Sequence, residues 1–524
     1  MEQLSIVITQ LRLLLAEMTV QTALAILFLV LIAYLVADAI YQLYFSPLSK
    51  IPGPWYCAIS RLWLISQVFK ARLSKEVHIL HERYGPYVRV SPHEISVADI
   101  SSIRKIHGTQ DVFPKSEWYE VSGGSKGMGI IGITDHERYK VHRKAYGNLF
   151  SFSNVRFIEP VISKHVDKCV AKMREELERG GEPDVVLWSK LMAGDIVGEV
   201  VFGIDYEMVE NGKMNSYFED SMAFIVLAAA RGLFPFINFI EPILKKIPQS
   251  TVQWVFGCDQ RLSDYALEAL NNLKLEIGDC KNGQVRPTLF SKVLENLDNS
   301  SKSSSKYKIT MEEVKMEAFI SNFAGTHTVP IVSVFVVWEI FRREDIRRKL
   351  EQEIAEVAGT DVDIPDEKLK RLPYLDGVIK EALRLYPPGQ TLIPRAVPRG
   401  GRQLGPYFFA EGTSVVSPVY TVHRDPEAFP DPYLFKPERW NNTMNDMETA
   451  ILAWGGASRI CLGQHLAMME LRMLISKLLR ACPSVGLAEA CTDESMEAVE
   501  VITIHPKSGE CRLKKGTRKT TSHS

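Results

Sequence analysis

One cysteine, Cys461, lies between a glycine-rich segment and a predicted helix, and this placement restricts the folds open to the chain. The segment 454–463 reads WGGASRICLG, and helical spacing of apolar residues follows over residues 464–479. Small residues let a backbone lie flat against a large partner. The start of a helix carries unpaired N–H groups and partial positive charge, which favour thiolate over thiol. The sequence therefore predicts a metal-ligating sulfur at this turn.

Arg459 supports a particular kind of metal group. It precedes the cysteine by two residues and adds a cation that suits an anionic ligand. A haem iron held by a cysteine thiolate fits these residues. A lone cysteine before a helix is more often a small buried hydrophobe. Residues elsewhere in the chain decide between the two interpretations.

The segment around Cys461 resembles the cysteine-ligand signature of the cytochrome P450 superfamily. Arg459, Cys461 and Gly463 match that pattern, whereas Trp454 replaces the usual Phe and Ala457 replaces the usual Gly. The resemblance implies a mainly α fold with small β-sheets, a P450-like haem-thiolate domain, and haem b (iron protoporphyrin IX) with Cys461 as the axial ligand of its iron. The chain looks most like microsomal monooxygenases of filamentous-fungal secondary metabolism.

A second motif joins two distant segments. Glu381 and Arg384 lie three residues apart on a predicted helix that ends at two prolines, so they share one helix face. Alone, this spacing is typical of solvated helix pairs. The segment 437–440, Pro-Glu-Arg-Trp, resembles the family's Pro-Glu-Arg-aromatic segment. The resemblance implies a buried structural cluster in which Arg439 joins Glu381 and Arg384.

A long predicted helix, residues 310–342, contains the third motif. Its segment 323–328, Phe-Ala-Gly-Thr-His-Thr, resembles the family's oxygen-binding stretch. By this resemblance, Gly325 lets the helix lie close over the haem, and Thr328 is the hydroxyl residue that organises water for protonating bound oxygen. His327 stands where the family usually has Asp or Glu. Because imidazole titrates near neutrality, His327 is predicted to relay protons in place of the carboxylate.

Three further residues complete the predicted haem contacts. Tyr139 and Arg143 lie four residues apart on an early predicted helix, where the family places an aromatic or His and then an Arg. Arg395 resembles another propionate-binding arginine of the family. Guanidinium groups pair bidentately with carboxylates, which agrees with both arginine assignments. The alternative is that these are surface residues without a ligand.

The N-terminus predicts membrane attachment. Residues 18–37 are apolar and long enough to span a bilayer as a helix, and the chain starts without the basic segment of a signal peptide. We expect a membrane anchor over residues 1–45, a proline-rich hinge over 46–55, the haem-thiolate catalytic domain over 56–506 and a basic, disordered tail over 507–524. The hinge resembles that of endoplasmic-reticulum members, and Lys and Arg after the anchor favour a cytosolic catalytic domain in a single-pass protein.

Overall composition excludes some partners. The net charge of −1 gives no reason to expect nucleic acid, and the eight scattered cysteines suit a reducing compartment. No FMN, FAD or NADPH site is found in the sequence. The resemblance therefore implies an NADPH-dependent cytochrome P450 reductase as electron donor, together with the lipid bilayer, a lipophilic small-molecule substrate and O2.

These features predict a membrane-bound monooxygenase that inserts one oxygen atom from O2 into a lipophilic small molecule, as a step of fungal secondary-metabolite biosynthesis. Two alternatives stay open. The first is a P450-fold enzyme that isomerises, dehydrates or uses peroxide, for which His327 is the sequence support. The second is a non-catalytic haem carrier or sensor. The apolar, proline-broken segment 233–244 is predicted either to touch lipid near the substrate entrance or to pack in the core.

Overall fold

The structure is a computed structural model that describes residues 19–124, 127–279, 288–291, 293, 307–359, 363–390, 392–443 and 445–516. The helices of this part of the chain are α1 (Val20–Ile40), α2 (Trp55–Ile59), α3 (Leu62–Phe69), α4 (Leu73–Tyr84), α5 (Ile100–His107), α6 (Trp118–Gly123), α7 (Gly129–Gly132), α8 (His136–Gly147), α9 (Phe152–Phe157), α10 (Glu159–Glu178), α11 (Val185–Phe202), α12 (Met208–Asn211), α13 (Ser216–Leu233), α14 (Ile237–Leu244), α15 (Ser250–Phe256), α16 (Cys258–Asp279), α17 (Met311–Arg342), α18 (Glu344–Ala358), α19 (Asp366–Leu369), α20 (Pro373–Leu385), α21 (Val419–Val422), α22 (Asn445–Ala450) and α23 (Gln464–Ala481). The strands are β1 (Tyr87–Ser91), β2 (Glu94–Val97), β3 (Leu392–Ala396), β4 (Arg402–Leu404), β5 (Tyr407–Phe409), β6 (Ser414–Pro418), β7 (Val485–Leu487), β8 (Ala498–Glu500), β9 (Ile504–Pro506) and β10 (Leu513–Lys515).

The long helix α17 forms the centre of the fold. Its start is fixed by a capping box, in which the Glu313 N–H donates to Thr310 Oγ1 and the Thr310 N–H donates to Glu313 Oε2. Nearly all its residues from 329 to 340 are buried, and it packs against α11, α16, α20 and α23. A helix that is apolar all round belongs in a core, so α17 is the natural framework for a central site.

The N-terminal helix α1 has the opposite environment. None of its residues is buried, although nearly all are apolar. Two helices of the described residues are long and apolar enough to cross a membrane, the segment Val20–Phe45 and α17, and α17 is mostly buried in the protein. The N-terminal helix therefore suggests a membrane anchor. The segment after it docks on the protein, since Leu48 and Ile51 pack in a core cluster with Tyr87 and Ile95.

The main sheet has four strands in the order β1-β2-β6-β3. Strands β2 and β6 run parallel, and the other two neighbouring pairs run antiparallel. Strands β1 and β2 form an antiparallel pair, with Tyr87 opposite Val97. In β3, Arg395 lies opposite Val415 of β6, so the pairing of these two strands determines where this arginine lies.

The predicted disordered tail is wrong for residues 507–516. Strand β10 pairs antiparallel with β7, and both Cys511 and Leu513 are fully buried. The folded domain therefore extends beyond the predicted boundary at 506. Flanking lysines made the segment look like a basic tail, because three-residue strands are too short to give a clear alternating pattern. Residues 517–524 lie outside the described residues.

Candidate active site

A cavity of about 400 Å3 lies between α17 and the turn that precedes α23. Ala324, Gly325 and Thr328 line it from α17, and Trp454 and Cys461 line it from the turn. The two segments that the sequence singled out for chemistry therefore face each other across one cavity, although they lie more than a hundred residues apart.

The turn before α23 aims the cysteine at this cavity. The Cys461 N–H donates to the Trp454 carbonyl at 2.7 Å, which closes the loop on itself. Gly455 adopts a φ of +79°, a backbone conformation that side-chain-bearing residues rarely take. Cys461 lies deep in the fold yet has accessible surface, because its side chain opens onto the cavity. The turn presents one thiol to a space large enough for a flat group.

The acidity of Cys461 differs from the expectation. Burial raises the pKa of the Cys461 thiol, whereas the N–H groups of Gly463 and Gln464 and the charge of Arg143 lower it by smaller amounts. The start of α23 therefore acts in the predicted direction, but desolvation outweighs it. A coordinating metal ion deprotonates such a thiol outright, so the sulfur is suited to a bound metal more than to free thiolate.

Two buried arginines in the cavity have no counter-ion among the residues that the structure describes. Arg459 is 9% exposed, and none of its three side-chain nitrogens has a hydrogen-bond partner among the described residues. Arg395 is 4% exposed and donates to the Tyr119 hydroxyl at 3.2 Å and to the Pro394 carbonyl at 3.0 Å. Burying an unpaired cation is costly, and a carboxylate is its best partner. Haem, with its propionates, fits this pair of arginines.

Space at the cysteine turn also fits haem. A Cβ added to Gly463 would meet no protein atom within 4 Å, although Gly463 lines the cavity. The protein therefore leaves this position open for a bound group. Ala457 is exposed and does not line this cavity, so its methyl group leaves room for the cofactor even though it replaces the usual glycine.

Tyr139 and Arg143 both reach the cavity from α8. The Tyr139 ring is buried and supports Arg459, whose guanidinium carbon lies 4.1 Å from the ring centroid. Arg143 donates through one guanidinium NH to the Ile460 carbonyl at 2.7 Å. Tyr139 therefore positions a cation, and Arg143 holds the backbone beside Cys461.

Lys115 is a cavity residue that the sequence did not indicate. It is 8% exposed, and its Nζ donates to the carbonyls of Ile130 and Ile131 at 2.8 and 2.6 Å. Burial, with the nearby charges of Arg459 and Arg395, lowers the pKa of Lys115 well below its usual range, so the residue adds a third basic group beside these two arginines. A single lysine in an irregular segment has no pattern that could have revealed this role.

The α17 side of the cavity carries Gly325 and Thr328. A Cβ on Gly325 would lie 2.5 Å from Val197 Cγ2, so the glycine is required by the close packing of α11 as well as by the cavity. Thr328 Oγ1 donates to the Ala324 carbonyl at 2.7 Å. The hydroxyl is thus held by its own helix, with its oxygen still able to accept a hydrogen bond from water.

His327 lies away from the others. It is 8% exposed and does not belong to the described residues that line the cavity. Its Nε2 lies 3.5 Å from Ser221 Oγ, and its ring centroid is 4.6 Å from that of Phe323. Burial and, secondarily, the charge of Lys190 lower the pKa of His327 to about 4, so it is neutral at pH 7. Successive helical residues point about 100° apart, which explains how Thr328 faces the cavity while His327 faces α13.

Glu381, Arg384 and Arg439 form one buried cluster. The two carboxylate oxygens of Glu381 accept from Arg384 at 2.8 and 2.9 Å, and Arg439 Nε donates to Oε1 at 2.9 Å. Glu381 and Arg384 have no exposed surface. The Trp440 indole N–H and the Lys436 backbone N–H also donate to Glu381, at 3.1 and 3.0 Å. The cluster ties α20 to the segment that leads toward the cysteine turn.

His423 links this cluster to the cysteine turn, and no motif indicated it. Its Nδ1 lies 2.8 Å from the Arg384 carbonyl, and its Nε2 accepts the Leu452 N–H at 2.8 Å. Burial lowers the pKa of His423 to about 3, so the ring is neutral and Nδ1 carries the proton. The Leu452 carbonyl in turn accepts the Gly455 N–H at 2.8 Å. Four hydrogen-bonded groups thus connect the cluster to the cysteine loop.

Glu470 is a second unforeseen cavity residue. It is fully buried, and neither carboxyl oxygen has a partner within the described part of the chain. Its position seven residues after Gly463 puts both on one face of α23, together with Leu466 and Ala467, and all four line the cavity. Burial raises the pKa of Glu470 well above the usual carboxyl range. Folding therefore favours the neutral form of this side chain.

We expect Glu470→Gln to change how stability depends on pH. Folding raises the pKa of this carboxyl group, so the group stabilises the folded state. That stabilisation is complete below the pKa of the unfolded chain, about 4.3, and it is lost as the pH rises. As the pH rises above about 4.3, wild type should lose up to about 1.4 kcal/mol of unfolding free energy per pH unit relative to Glu470→Gln. Urea unfolding at several pH values measures this difference. Parallel stability curves for the two proteins would contradict it.

The Cys461 thiol opens onto a cavity opposite a central helix, and two arginines of that cavity need carboxylate partners. Together these features are those of a haem-thiolate protein. Residues 50–510 match the family model Cytochrome P450. The chain is 32% identical to the cytochrome P450 monooxygenase tazI of Aspergillus terreus over 492 residues, covering 92% of this chain and 97% of the relative. It is 30% identical to the monooxygenase stcB of Emericella nidulans over 487 residues, covering 91% of this chain and 90% of the relative. Identity to the monooxygenase aflV of Aspergillus parasiticus is 27% over 478 residues, covering 90% and 92%.

The chain belongs to the cytochrome P450 family. This membership confirms the predicted fold class, and it implies a haem-thiolate cofactor and a need for O2 and a redox partner.

Proposed function

We propose that the protein is a membrane-bound monooxygenase that inserts one oxygen atom from O2 into a lipophilic small molecule, as a step of fungal secondary metabolism. One observation carries the proposal: Cys461 and Thr328 face each other across a single cavity. The relatives support it, because each is named a monooxygenase and comes from a filamentous fungus. His327, the only sequence feature in favour of a non-oxygenating reaction, lies beside Ser221 outside the cavity lining.

The cofactor that suits this cavity is haem b, whose iron the Cys461 sulfur would bind. Arg459 and Arg395 would hold its propionates. The Tyr139 ring packs against the guanidinium group of Arg459 and keeps it in place. A thiolate-ligated haem supplies the electron density that favours cleavage of the O–O bond. Arg143 fixes the backbone at Ile460, so the sulfur keeps one position relative to the cavity.

Thr328 is the residue that would place water for proton delivery. Its hydroxyl proton is committed to the Ala324 carbonyl, so its oxygen is oriented to accept from a water molecule in the cavity. Apolar residues around it, among them Ile320 and Val329, limit the access of further water. Proton transfer through one held water is the step that this arrangement favours.

An NADPH-dependent cytochrome P450 reductase is the proposed electron donor. The cysteine side of the domain carries Arg138, Lys140 and Lys144 on α8. Arg138 pairs with Glu313 and Lys140 with Glu137, so part of this charge is balanced within the chain. A docking face of this kind would give association that weakens as salt concentration rises.

We place the protein in the endoplasmic-reticulum membrane with its catalytic domain on the cytosolic side. Helix α1 is the anchor, and the α14 region offers a second contact, since Phe236, Phe239 and Ile243 are 57%, 84% and 66% exposed. Large exposed apolar side chains in one region mark an interaction surface. Their exposure favours lipid contact over core packing for the segment 233–244.

Reconstitution tests the proposed activity. Purified protein with NADPH-dependent reductase, O2 and NADPH should convert a lipophilic metabolite of the producing fungus into a product heavier by one oxygen atom, labelled when 18O2 is supplied. The metabolite would be found by comparing extracts of strains with and without the gene. Turnover that is equally fast without reductase, or a product that takes up no label, would overturn the proposal.

Thr328→Ala is expected to uncouple the reaction. Without the hydroxyl, water is no longer held for proton transfer, and product formation should fall by about 100-fold. NADPH consumption should persist, with its electrons appearing as hydrogen peroxide. Thr328→Ser keeps the hydroxyl and serves as the control, with coupling near wild type. Equal loss in both variants would indicate a packing effect of the lost methyl group.

Removal of residues 1–45 should shift most of the protein from membranes to the soluble fraction, because it removes the apolar helix.

The membrane binding that remains in the truncated protein should fall further when Phe239→Ser and Ile243→Ser are combined. Phe408→Ser, at a residue 61% exposed on β5, is the matched control and should change nothing. Vesicle flotation measures each fraction. Full membrane retention by the truncated protein would contradict the anchor.

A further inference from the structure

Glu317 places a carboxyl group on the cavity wall of α17. It is 3% exposed and lines the same cavity as Thr328. Ser321, Ala324 and Thr328 follow it at intervals of four, three and four residues and also line the cavity, so all four lie along one face of the helix. The helix rises 1.5 Å per residue, which separates the backbone positions of Glu317 and Thr328 by about 16 Å. A polar group therefore stands at one end of a cavity whose other end carries the oxygen-activating residues.

The carboxylate is fixed by one of its oxygens only. Oε2 accepts the Ile130 N–H at 2.6 Å, which orients the group from α7. Gly129 makes this approach possible, because a Cβ there would lie 2.6 Å from the same oxygen. Oε1 accepts no hydrogen bond from the residues that the structure describes. Glu317 is thus a rigidly held acceptor with one oxygen available toward the cavity.

The charges around Glu317 limit what it can bind. Lys115, Arg395 and Arg459 are the basic groups at this side of the cavity, but burial lowers the pKa of Lys115 well below its usual range and raises the pKa of Glu317 to about 7. The two propionates of haem b would balance Arg395 and Arg459. A cationic substrate would be repelled by these two arginines, and an anionic substrate would add a buried negative charge beside Glu317 without a fixed partner for it. A neutral hydrogen-bond donor suits the site best.

We propose that Glu317 recognises a hydroxyl group of the lipophilic substrate by accepting its hydrogen bond through Oε1. This inference rests on the proposed function, because it names the substrate class of that same cavity. The bond anchors the substrate at the end away from Thr328. The carbon presented for oxidation then lies at a fixed distance from the hydroxyl, and Glu317 determines specificity without taking part in the chemistry.

Matched probes test the proposal on the haem-loaded protein. We would measure the dissociation constants of 4-hydroxybiphenyl, its methyl ether and biphenyl by equilibrium dialysis, which needs no turnover. Wild type should bind the hydroxylated probe about tenfold more tightly than the other two, a difference of about 1.4 kcal/mol. Glu317→Ala should abolish this preference, and Glu317→Gln, whose amide oxygen still accepts, should keep part of it.

Glu470→Gln is the matched control, since it changes the other carboxyl group of the cavity and should leave the preference for the hydroxyl unchanged. Circular dichroism and the spectrum of the carbon monoxide complex verify that each variant is folded and loaded. A wild type that binds the three probes equally, or binds none of them, would overturn the inference. So would a preference that survives in Glu317→Ala.

The outcomes separate this inference from the proposed function. If the protein turns over with reductase but shows no preference for the hydroxylated probe, the monooxygenase proposal stands and the role of Glu317 is excluded. If it prefers the hydroxylated probe but shows no turnover, Glu317 is a ligand-binding residue and the monooxygenase proposal is excluded.

Discussion

Cys461→Ala should abolish both the thiolate-type carbon monoxide spectrum and all oxygen insertion. Among the described residues of the turn, the Cys461 sulfur is the group that reaches the cavity and can bind iron. Its replacement leaves a methyl group there. Haem that still binds through Arg459 and Arg395 would show an altered Soret band. Absorbance of the reduced protein with carbon monoxide measures the change.

Cys491→Ala is the matched control for this experiment. Cys491 is half-buried in the C-terminal part of the domain and bonds Arg512, outside the cavity lining. This variant should keep the wild-type spectrum. If Cys461→Ala also kept it, the sulfur would not be the ligand, and the proposed function would fail.

Glu381→Gln should cause a large loss of stability in the domain. It removes the charge that pairs with Arg384 and Arg439 and leaves two guanidinium groups buried without a counter-ion. Breaking such a cluster by removing one partner costs about 3–5 kcal/mol. Because His423 joins Arg384 to the cysteine loop, haem loading should fall as well. Urea unfolding and the ratio of haem to protein measure the two effects.

Glu438→Gln provides the comparison. Glu438 lies next to Arg439 but pairs with Lys349 at the surface, with both side chains about half exposed. The free energy of unfolding should change by less than about 1 kcal/mol. Similar losses in both variants would mean that the segment, and not the buried cluster, determines stability.

The sequence predicted those parts of the site that are encoded by neighbouring residues. Cys461 with Arg459, and Glu381 with Arg384, each lie within a few residues, so local spacing reveals them. Lys115 reaches the cavity only through packing of distant elements, and its sequence surroundings carry no pattern that marks it. Glu317 and Glu470 lie at helical spacing from Thr328 and Gly463, but spacing alone does not show that a charged residue faces inward.

The position of His327 outside the cavity lining has a simple geometric cause. The resemblance identified the position beside Thr328, but neighbouring helical residues face different directions. Only the packing of α13 on α17 determined which of the two met the cavity. The tail boundary failed for a related reason, since the burial of Leu513 depends on its partner strand β7.

The unpaired Arg459 has a consequence for the protein in the cell. A buried cation without a counter-ion destabilises the fold, so haem that supplies the carboxylate also supplies folding free energy by mass action. Newly made chains that have not met haem are then the ones that proteases remove first. The abundance of this protein should therefore follow the haem supply of the cell, independently of how strongly its gene is transcribed.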